Sequence, residues 1–202
     1  MKGPIAIFDI LGYQNFLEKN PDLKSVESVL DLISETPNEI IKAIPLTSSR
    51  FSEIVQKGFR YLVFSDTIVC GFEFEKIDSK QHDDAWAYLI FHTQTLYRLL
   101  FSKGFPLRGV LHYGDFLLKG SCVAGIAMVE SYKQMIEIDF AGVVVTEQAI
   151  SQVKILLDKS PPLKMLMTEC LPSYLFPMKS GKEQIFNIVD CMPDELREQS
   201  AN

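Results

Sequence analysis

The stretch that decides the fold lies close to the N-terminus, where residues 5–13 read Ile-Ala-Ile-Phe-Asp-Ile-Leu-Gly-Tyr. Its apolar run predicts a short buried strand over residues 4–9. Gly12 then allows a tight turn into a helix over residues 13–19. Asp9 therefore ends a strand, where its carboxylate is held on a rigid scaffold and can face water.

A second aspartate stands in a similar place. Residues 58–75 predict a β-hairpin, because residues 60–64 and 68–74 are rich in β-branched and aromatic side chains and a Ser-Asp-Thr turn joins them. Asp66 is the middle residue of that turn. Two strand-end carboxylates side by side can bind Mg²⁺ or Mn²⁺, with substrate phosphates completing the coordination. An aspartate at a strand end can also be only a turn former or a helix cap.

The remaining chain alternates between helical and extended patterns. Helical periodicity covers residues 24–44, with an interruption expected at Pro37. Further elements are predicted as a helix at 83–103, a strand at 107–118, a helix at 122–136, a strand at 141–146, a helix at 147–157, and a terminal hairpin of strands near 163–168 and 184–190. This order predicts an α+β, ferredoxin-like βαββαβ core, a mostly antiparallel sheet with helices on one face. Residues 1–150 form the expected main domain, and residues 151–202 are its C-terminal extension.

Composition limits the class of protein. The chain has 202 residues, of which 47% are hydrophobic, and a net charge of −6. That acidity argues against a nucleic-acid partner, which selects a basic surface. The four cysteines form no CxxC pair, as expected of reduced thiols in a cytoplasmic protein. We expect neither a signal peptide nor membrane insertion, since no run reaches the roughly 18 apolar residues of a membrane helix.

Three segments in this order resemble class III nucleotidyl cyclases. They are Phe-Asp-Ile-Leu-Gly-Tyr at 8–13, Phe-Ser-Asp-Thr at 64–67, and Leu-Arg-Gly-Val-Leu-His-Tyr-Gly at 107–114. The resemblance extends from residue 4 to about residue 150. It implies a class III cyclase homology domain.

The resemblance also implies roles for individual residues. Asp9, Asp66 and the carbonyl of Ile10 would bind two divalent ions, Mg²⁺ or Mn²⁺, and Arg108 would contact the polyphosphate. Phosphate oxygens would be bound by the N–H groups of four consecutive residues at a helix start: Leu11, Gly12, Tyr13 and Gln14. In such enzymes the ribose 3′-oxygen attacks the α-phosphorus and expels pyrophosphate.

The next helix departs from the cyclase pattern. With Gly125 as the reference glycine, Val129 stands where the family has a ribose-orienting Asn, and Lys133 where it has a catalytic Arg. Lys133 keeps the positive charge but lacks the bidentate fork of arginine. It is therefore interpreted as a substitute catalytic residue, with a solvated surface lysine as the alternative. Val129 cannot replace Asn.

The base-reading positions depart as well. Leu62 and Cys122 stand where purine cyclases have Lys and Asp, and neither can make the same polar contacts. This brings the chain nearest to the stand-alone pyrimidine cyclases of bacterial Pycsar anti-phage systems, whose cyclic CMP or cyclic UMP activates a separate effector. We predict a base pocket of Tyr61, Leu62 and Cys122, with Cys122 small and buried. Arg60 is an alternative to Tyr61, because strand alternation sends only one of them toward the pocket.

The leading hypothesis is a cytoplasmic, homodimeric, metal-dependent cyclase. It would convert a nucleoside triphosphate, UTP or CTP, to a 3′,5′-cyclic nucleotide and pyrophosphate for anti-phage signalling through a cyclic-nucleotide-gated effector. The site would form between protomers, with the helix at 122–136 coming from the second copy. One alternative is a catalytically inactive, cyclase-like nucleotide-binding or regulatory domain. Another is a ferredoxin-like domain with no nucleotide role.

Overall fold

The computed structural model describes residues 2–43, 58–73, 79–159 and 170–191. Its elements are, in order, β1 (Lys2–Ile10), α1 (Tyr13–Lys19), α2 (Leu23–Ala43), β2 (Phe59–Phe64), β3 (Thr67–Phe72), α3 (Ser79–Ser102), β4 (Leu107–Asp115), β5 (Leu117–Lys119), β6 (Cys122–Ala124), α4 (Ile126–Glu137), β7 (Gly142–Val145), α5 (Glu147–Lys159), β8 (Ser173–Pro177) and β9 (Glu183–Ile188). The predicted α+β class is confirmed.

One sheet organises these elements, with strand order β2-β3-β1-β4-β7-β9-β8. The inner strand β1 pairs antiparallel with both β3 and β4. β4 and β7 are parallel, and β9 joins the far side of β7 in antiparallel pairing. The C-terminal hairpin therefore extends the same sheet that carries the N-terminal motif.

The helices cover both faces of the sheet, which corrects the prediction of a single covered face. On β1, Ala6, Phe8 and Ile10 pack into a core that includes residues of α2, α3 and α5. Ile5 and Ile7, on the other face, pack with residues of α4 and β5. The physical reason is the unbroken apolar run of β1, which supplies buried side chains to both faces. By the same alternation, Asp9 lies on the α4 face.

The helix α2 runs without a break through Pro37, where an interruption was predicted. Proline has no N–H to donate to the carbonyl four residues earlier, which is that of Ile33. The Tyr61 hydroxyl donates to this carbonyl at 3.2 Å. A side chain from β2 thus supplies the hydrogen bond that Pro37 cannot make.

The region after β4 is also divided differently from the prediction. The strand ends at Asp115, and β5 and β6 form a separate two-stranded hairpin before α4 begins. Gly125 precedes α4 with φ of 140°, and a Cβ there would lie 2.4 Å from the carbonyl oxygen of Asp115. This glycine therefore fixes the helix start after residue 125 rather than at residue 122.

The predicted terminal hairpin is correct in its second strand, since β9 overlaps residues 184–190. Its first strand is β8 at 173–177, and the predicted strand at 163–168 lies outside the described residues. None of the helices in the described ranges combines the length and apolarity needed to cross a membrane.

Candidate active site

Asp9 lies at the junction of three strands. Its Cα register partners are Thr67 on β3 and Arg108 on β4. Its side chain is 19% exposed, so the carboxylate is accessible from solvent but mostly surrounded by protein. Asp9 was predicted to end the strand, and β1 ends one residue later, at Ile10.

Asp66 is brought beside Asp9 by the backbone. It lies in the turn between β2 and β3, next to Ser65, whose φ is 55°. The N–H of Ile10 donates to the carbonyl oxygen of Asp66 at 3.0 Å. The turn is therefore attached to the end of β1, and the two aspartates occupy neighbouring strand ends.

The guanidinium of Arg108 is bound to Asp9 rather than exposed for a phosphate. Its Nη2 donates to Oδ2 of Asp9 at 2.7 Å, and its Nη1 donates to the carbonyl oxygen of Ile138 at 3.1 Å. The Arg108 side chain is 12% exposed. The resemblance implied a polyphosphate contact, whereas in this structure the arginine joins β1 to the end of α4.

The pKa of Asp9 is raised above its ordinary value, chiefly because burial disfavours the charged carboxylate. The hydrogen bond and the positive charge of Arg108 oppose that rise, the negative charge of Asp66 adds to it, and Lys179 lowers it slightly. Burial thus opposes the negative charge of Asp9, and the neighbouring guanidinium of Arg108 stabilises it.

Lys179 is a site residue that sequence reasoning missed. It follows β8, and its N–H donates to the carbonyl oxygen of Glu137 at the end of α4. This contact brings its positive charge within electrostatic range of Asp9. No local pattern marks Lys179, because only the pairing of the C-terminal hairpin with β7 places it here.

The donor set fits a hard divalent cation. Asp9, Asp66 and the carbonyl of Ile10 offer only oxygen atoms, which Mg²⁺ and Mn²⁺ prefer. Within the described ranges, no group of three or more His, Cys, Asp or Glu side chains could hold a metal ion. Two carboxylates alone leave coordination positions for water and substrate phosphates, as is usual for Mg²⁺.

The four predicted phosphate-binding N–H groups are not equivalent. The N–H of Leu11 donates to the carbonyl oxygen of Pro106 at 2.9 Å, so it is already engaged, which corrects its prediction. Gly12 adopts a left-handed conformation with φ of 79° and precedes α1. Tyr13 and Gln14 open that helix, where the first N–H groups have no intrahelical acceptor.

The predicted base pocket is divided between different places. Tyr61 packs on the face covered by α2 and α3, where its hydroxyl bonds Ile33. Leu62 packs on the opposite face, the one that carries Asp9. Cys122 is exposed on β6, although it was predicted to be buried. Strand alternation places Arg60 on the face of Leu62, so Arg60 and not Tyr61 shares the Asp9 side.

The two α4 positions singled out by the sequence lie on its outer surface. Ala127, Ser131 and Met135 are buried against the sheet. Val129 is 46% exposed and Lys133 is also exposed, as expected two residues away from the buried stripe. Lys133 therefore faces away from the sheet of its own chain.

His112 joins β4 to α4 and α5, a role that its sequence context did not indicate. Its Nδ1 lies 2.9 Å from Oγ1 of Thr146, and its Nε2 lies 3.1 Å from Oε2 of Glu130. Thr146 also accepts a hydrogen bond from the N–H of Ala149. Burial lowers the pKa of His112, and Glu130 opposes this shift. This network holds α4 in register on the site face.

No protein-family model and no curated protein sequence matches the chain. Solved structures do match. The guanylate cyclase domain of RhGC from Catenaria anguillulae, in complex with GTP, is 11% identical with a TM-score of 0.52, covering 93% of this chain and 96% of that one. A monomeric guanylyl cyclase domain of the RhoGC fusion protein from Blastocladiella emersonii is 10% identical with a TM-score of 0.55 and 94% coverage of each chain.

A dimeric form of the Blastocladiella emersonii domain also matches, at 11% identity and a TM-score of 0.51, covering 93% of this chain and 95% of that one. Likeness at this identity is evidence of fold, since folds host many activities. The chain therefore has the α+β fold of class III cyclase homology domains over nearly its whole length.

Proposed function

We propose that the protein is a metal-dependent nucleotide cyclase. The observation that carries the proposal is the meeting of Asp9, Asp66 and Arg108 at the ends of neighbouring strands, contributed by β1, the β2–β3 turn and β4. Each of these residues lies in a different one of the three motifs, far apart along the chain. Their convergence in a fold shared with guanylyl cyclase domains supports a shared chemistry.

The site would hold the substrate through charge and position. Asp9, Asp66 and the Ile10 carbonyl would hold Mg²⁺ or Mn²⁺, which supplies Lewis-acid activation of the ribose 3′-oxygen and neutralises phosphate charge when bound. The N–H groups of Gly12, Tyr13 and Gln14 would bind phosphate oxygens at the start of α1. The reaction joins the 3′-oxygen to the α-phosphorus and releases pyrophosphate, so positioning is the main task of the protein.

The second copy of the chain would complete the site. Lys133 is exposed on the outer surface of α4 and cannot turn toward its own sheet without exposing the buried stripe of that helix. Lys133 of the partner subunit would offset charge on the triphosphate of the first protomer. A homodimer with two equivalent sites follows from two-fold symmetry.

The proposed substrate is a pyrimidine nucleotide, UTP or CTP. Leu62 lies on the Asp9 face and offers only apolar contact, and Cys122 offers a weak thiol where a carboxylate would select a purine edge. The product, cyclic UMP or cyclic CMP, would act in the cytoplasm on a cyclic-nucleotide-gated effector in anti-phage defence.

A nucleotide-binding domain without turnover is the second candidate. It is favoured by Val129, which is exposed on α4 at the position of the ribose-orienting Asn and offers no polar group. Such a domain would keep the carboxylates and the phosphate-binding turn. It would bind a triphosphate with metal but release no pyrophosphate.

One incubation separates the two candidates. Purified protein is mixed with each of the four ribonucleoside triphosphates and Mn²⁺, and the products are separated by chromatography. We expect cyclic UMP or cyclic CMP from the unaltered protein and none from Asp66→Ala. Asp115→Ala is the matched control, because Asp115 is an exposed carboxylate at the opposite end of β4. Nucleotide binding without pyrophosphate release would instead support the second candidate.

Mixing of two inactive variants tests the dimeric site. Asp66→Ala and Lys133→Ala protomers would each be inactive alone. In a random mixture, half of the dimers are hybrids and each hybrid has one intact site, so about a quarter of the unaltered activity should return. Failure to regain activity in a mixture that forms hybrid dimers would contradict a site shared between protomers.

A further inference from the structure

The guanidinium of Arg108 already acts as the counter-ion of Asp9. It donates to Oδ2 of Asp9 at 2.7 Å and to the carbonyl oxygen of Ile138 at 3.1 Å. Its Nε is buried and has no hydrogen-bond partner among the residues that the structure describes. Arg108 is therefore held by two acceptors of its own chain, with one donor left over.

A metal ion bound by Asp9 would compete with this arrangement. Metal–oxygen distances of about 2.0–2.6 Å would put a divalent charge against the same carboxylate that the guanidinium contacts at 2.7 Å. Both side chains are more than four-fifths buried, so solvent weakens the repulsion between the two cations only partly. A guanidinium displaced from Asp9 would leave a buried charge without an anion, which is strongly unfavourable.

A phosphate oxygen that pairs with the displaced guanidinium would remove the cost of leaving this buried charge without an anion. Guanidinium groups bind phosphate as readily as carboxylate, through paired N–H donors, and Arg108 has an unused donor at Nε. A polyphosphate that arrives with the metal would therefore accept the hydrogen bonds that Arg108 gives up at Asp9. Metal and polyphosphate each make the binding of the other more favourable, as linked ligands must.

We propose that Arg108 is an exchange cation, which neutralises Asp9 when no metal is bound and moves to the polyphosphate when metal and nucleotide bind together. This inference rests on the proposed metal site and adds a coupling between metal and phosphate that runs through one side chain. It assigns Arg108 opposite effects on the two ligands. Arg108 opposes metal binding on its own and favours binding of the metal–polyphosphate complex.

The test measures binding and does not depend on turnover. Calorimetry with Mn²⁺ alone should show at least about tenfold tighter binding to Arg108→Gln than to the unaltered protein, because no ion pair has to break. Preformed magnesium–tripolyphosphate should bind at least about tenfold more weakly to the same variant. A residue that only maintained the fold would change both affinities in the same direction.

Lys179→Gln is the matched control. It removes one positive charge near Asp9 without breaking the Asp9–Arg108 pair. We expect its affinity for Mn²⁺ alone to change by less than about threefold, since a solvent-exposed charge acts weakly. An equal gain in Mn²⁺ affinity in Arg108→Gln and Lys179→Gln would show that net charge sets the metal affinity. That result would overturn the proposed exchange of the ion pair.

A measurement on the unaltered chain covers the case in which Arg108→Gln does not fold. In protein labelled with ¹⁵N-arginine, the guanidinium signal assigned through Arg108→Lys should shift on addition of Mg²⁺ with tripolyphosphate. An unmoved signal at saturation would overturn the exchange. Equal Mn²⁺ affinity in the unaltered and Arg108→Gln proteins, with binding lost in Asp66→Asn, would also overturn the exchange and leave the metal site intact. Lack of any metal binding would overturn both the exchange and the proposed metal site.

Discussion

Replacement of His92 by phenylalanine should remove one defined part of the acid sensitivity of the fold, the part that comes from a buried neutral imidazole. His92 is fully buried on α3, within ring contact of Phe59, Tyr61 and Tyr88. Its Nδ1 lies 3.9 Å from the thiol of Cys70. Its Nε2 has no hydrogen-bond partner in the described part of the chain. Such a site accepts a neutral imidazole and rejects a protonated one.

The loss of stability on acidification follows from the pKa of His92. Burial lowers the pKa of His92 from 6.5 to about 3. The unfolded chain therefore takes up a proton that the folded protein rejects, and stability is lost as the pH falls below about 6.5. Between about pH 7.5 and about pH 5 the loss from this one residue is ~2 kcal/mol, a large share of a typical stability.

Urea unfolding followed by the fluorescence of Trp86 measures this effect. At about pH 7.5, His92→Phe should be less stable than the unaltered protein by about 1–2 kcal/mol, because the phenyl ring is larger than imidazole and the site is fully buried. Between about pH 7.5 and about pH 5 this stability difference should move by roughly 2 kcal/mol in favour of the variant. Thr93→Val, at a buried neighbour that does not titrate, should keep the original pH dependence. A stability difference between His92→Phe and the unaltered protein that stays the same at both pH values would refute a buried, neutral imidazole.

Three further predictions concern other parts of the molecule. Tyr61→Phe should lower the free energy of unfolding by about 1–2 kcal/mol, because the carbonyl of Ile33 loses its donor, without changing nucleotide preference in the product assay. Gly109→Ala should lower the free energy of unfolding, measured by urea titration, by roughly 2 kcal/mol, because a Cβ would lie 2.5 Å from Cδ1 of Phe8. Under the proposed function, Val129→Asn should speed pyrophosphate release about tenfold, the value of one good hydrogen bond; an unchanged rate would place residue 129 away from the ribose.

The aspartates were predictable because their signal is local. An apolar run that stops at an acidic residue and then turns reports both a strand and its end. Asp9 and Asp66 needed only this pattern and the hairpin to be placed at neighbouring strand ends. The ion pair of Asp9 with Arg108 was not predictable in this way. It depends on the register of β1 against β4, which sets Asp9 opposite Arg108.

Tyr61 shows how a tertiary requirement overrides a pattern. Its place on β2 and its polar hydroxyl suited a base pocket, but one strand has two faces, and the sequence left open which one Tyr61 would take. The Ile33 carbonyl that Pro37 leaves without a donor is on α2, so the Tyr61 hydroxyl is needed on the face covered by α2 and α3. The predicted break in α2 and the predicted pocket role of Tyr61 are therefore corrected by the same hydrogen bond.

The wrong prediction for Cys122 and the missed role of Lys179 have a different reason. Both depend on short elements near turns, where sequence patterns are weakest. The helical pattern was extended back to residue 122, although β6 and Gly125 precede α4, and this made Cys122 look buried. Lys179 reaches the site only because β9 pairs with β7 and the turn after β8 meets the end of α4.

The attachment of α4 decides how the site can be completed. Its buried stripe of Ala127, Ser131 and Met135 lies on the sheet, and His112 contacts Glu130 at 3.1 Å. A rotation that brought Lys133 to its own Asp9 would expose that stripe and break the contact, at a cost of several kcal/mol from apolar burial alone. Lys133 therefore either serves a second copy of the chain or remains a solvated lysine. Because the same rotation is forbidden in every protomer, hybrid dimers of Asp66→Ala and Lys133→Ala distinguish these alternatives directly.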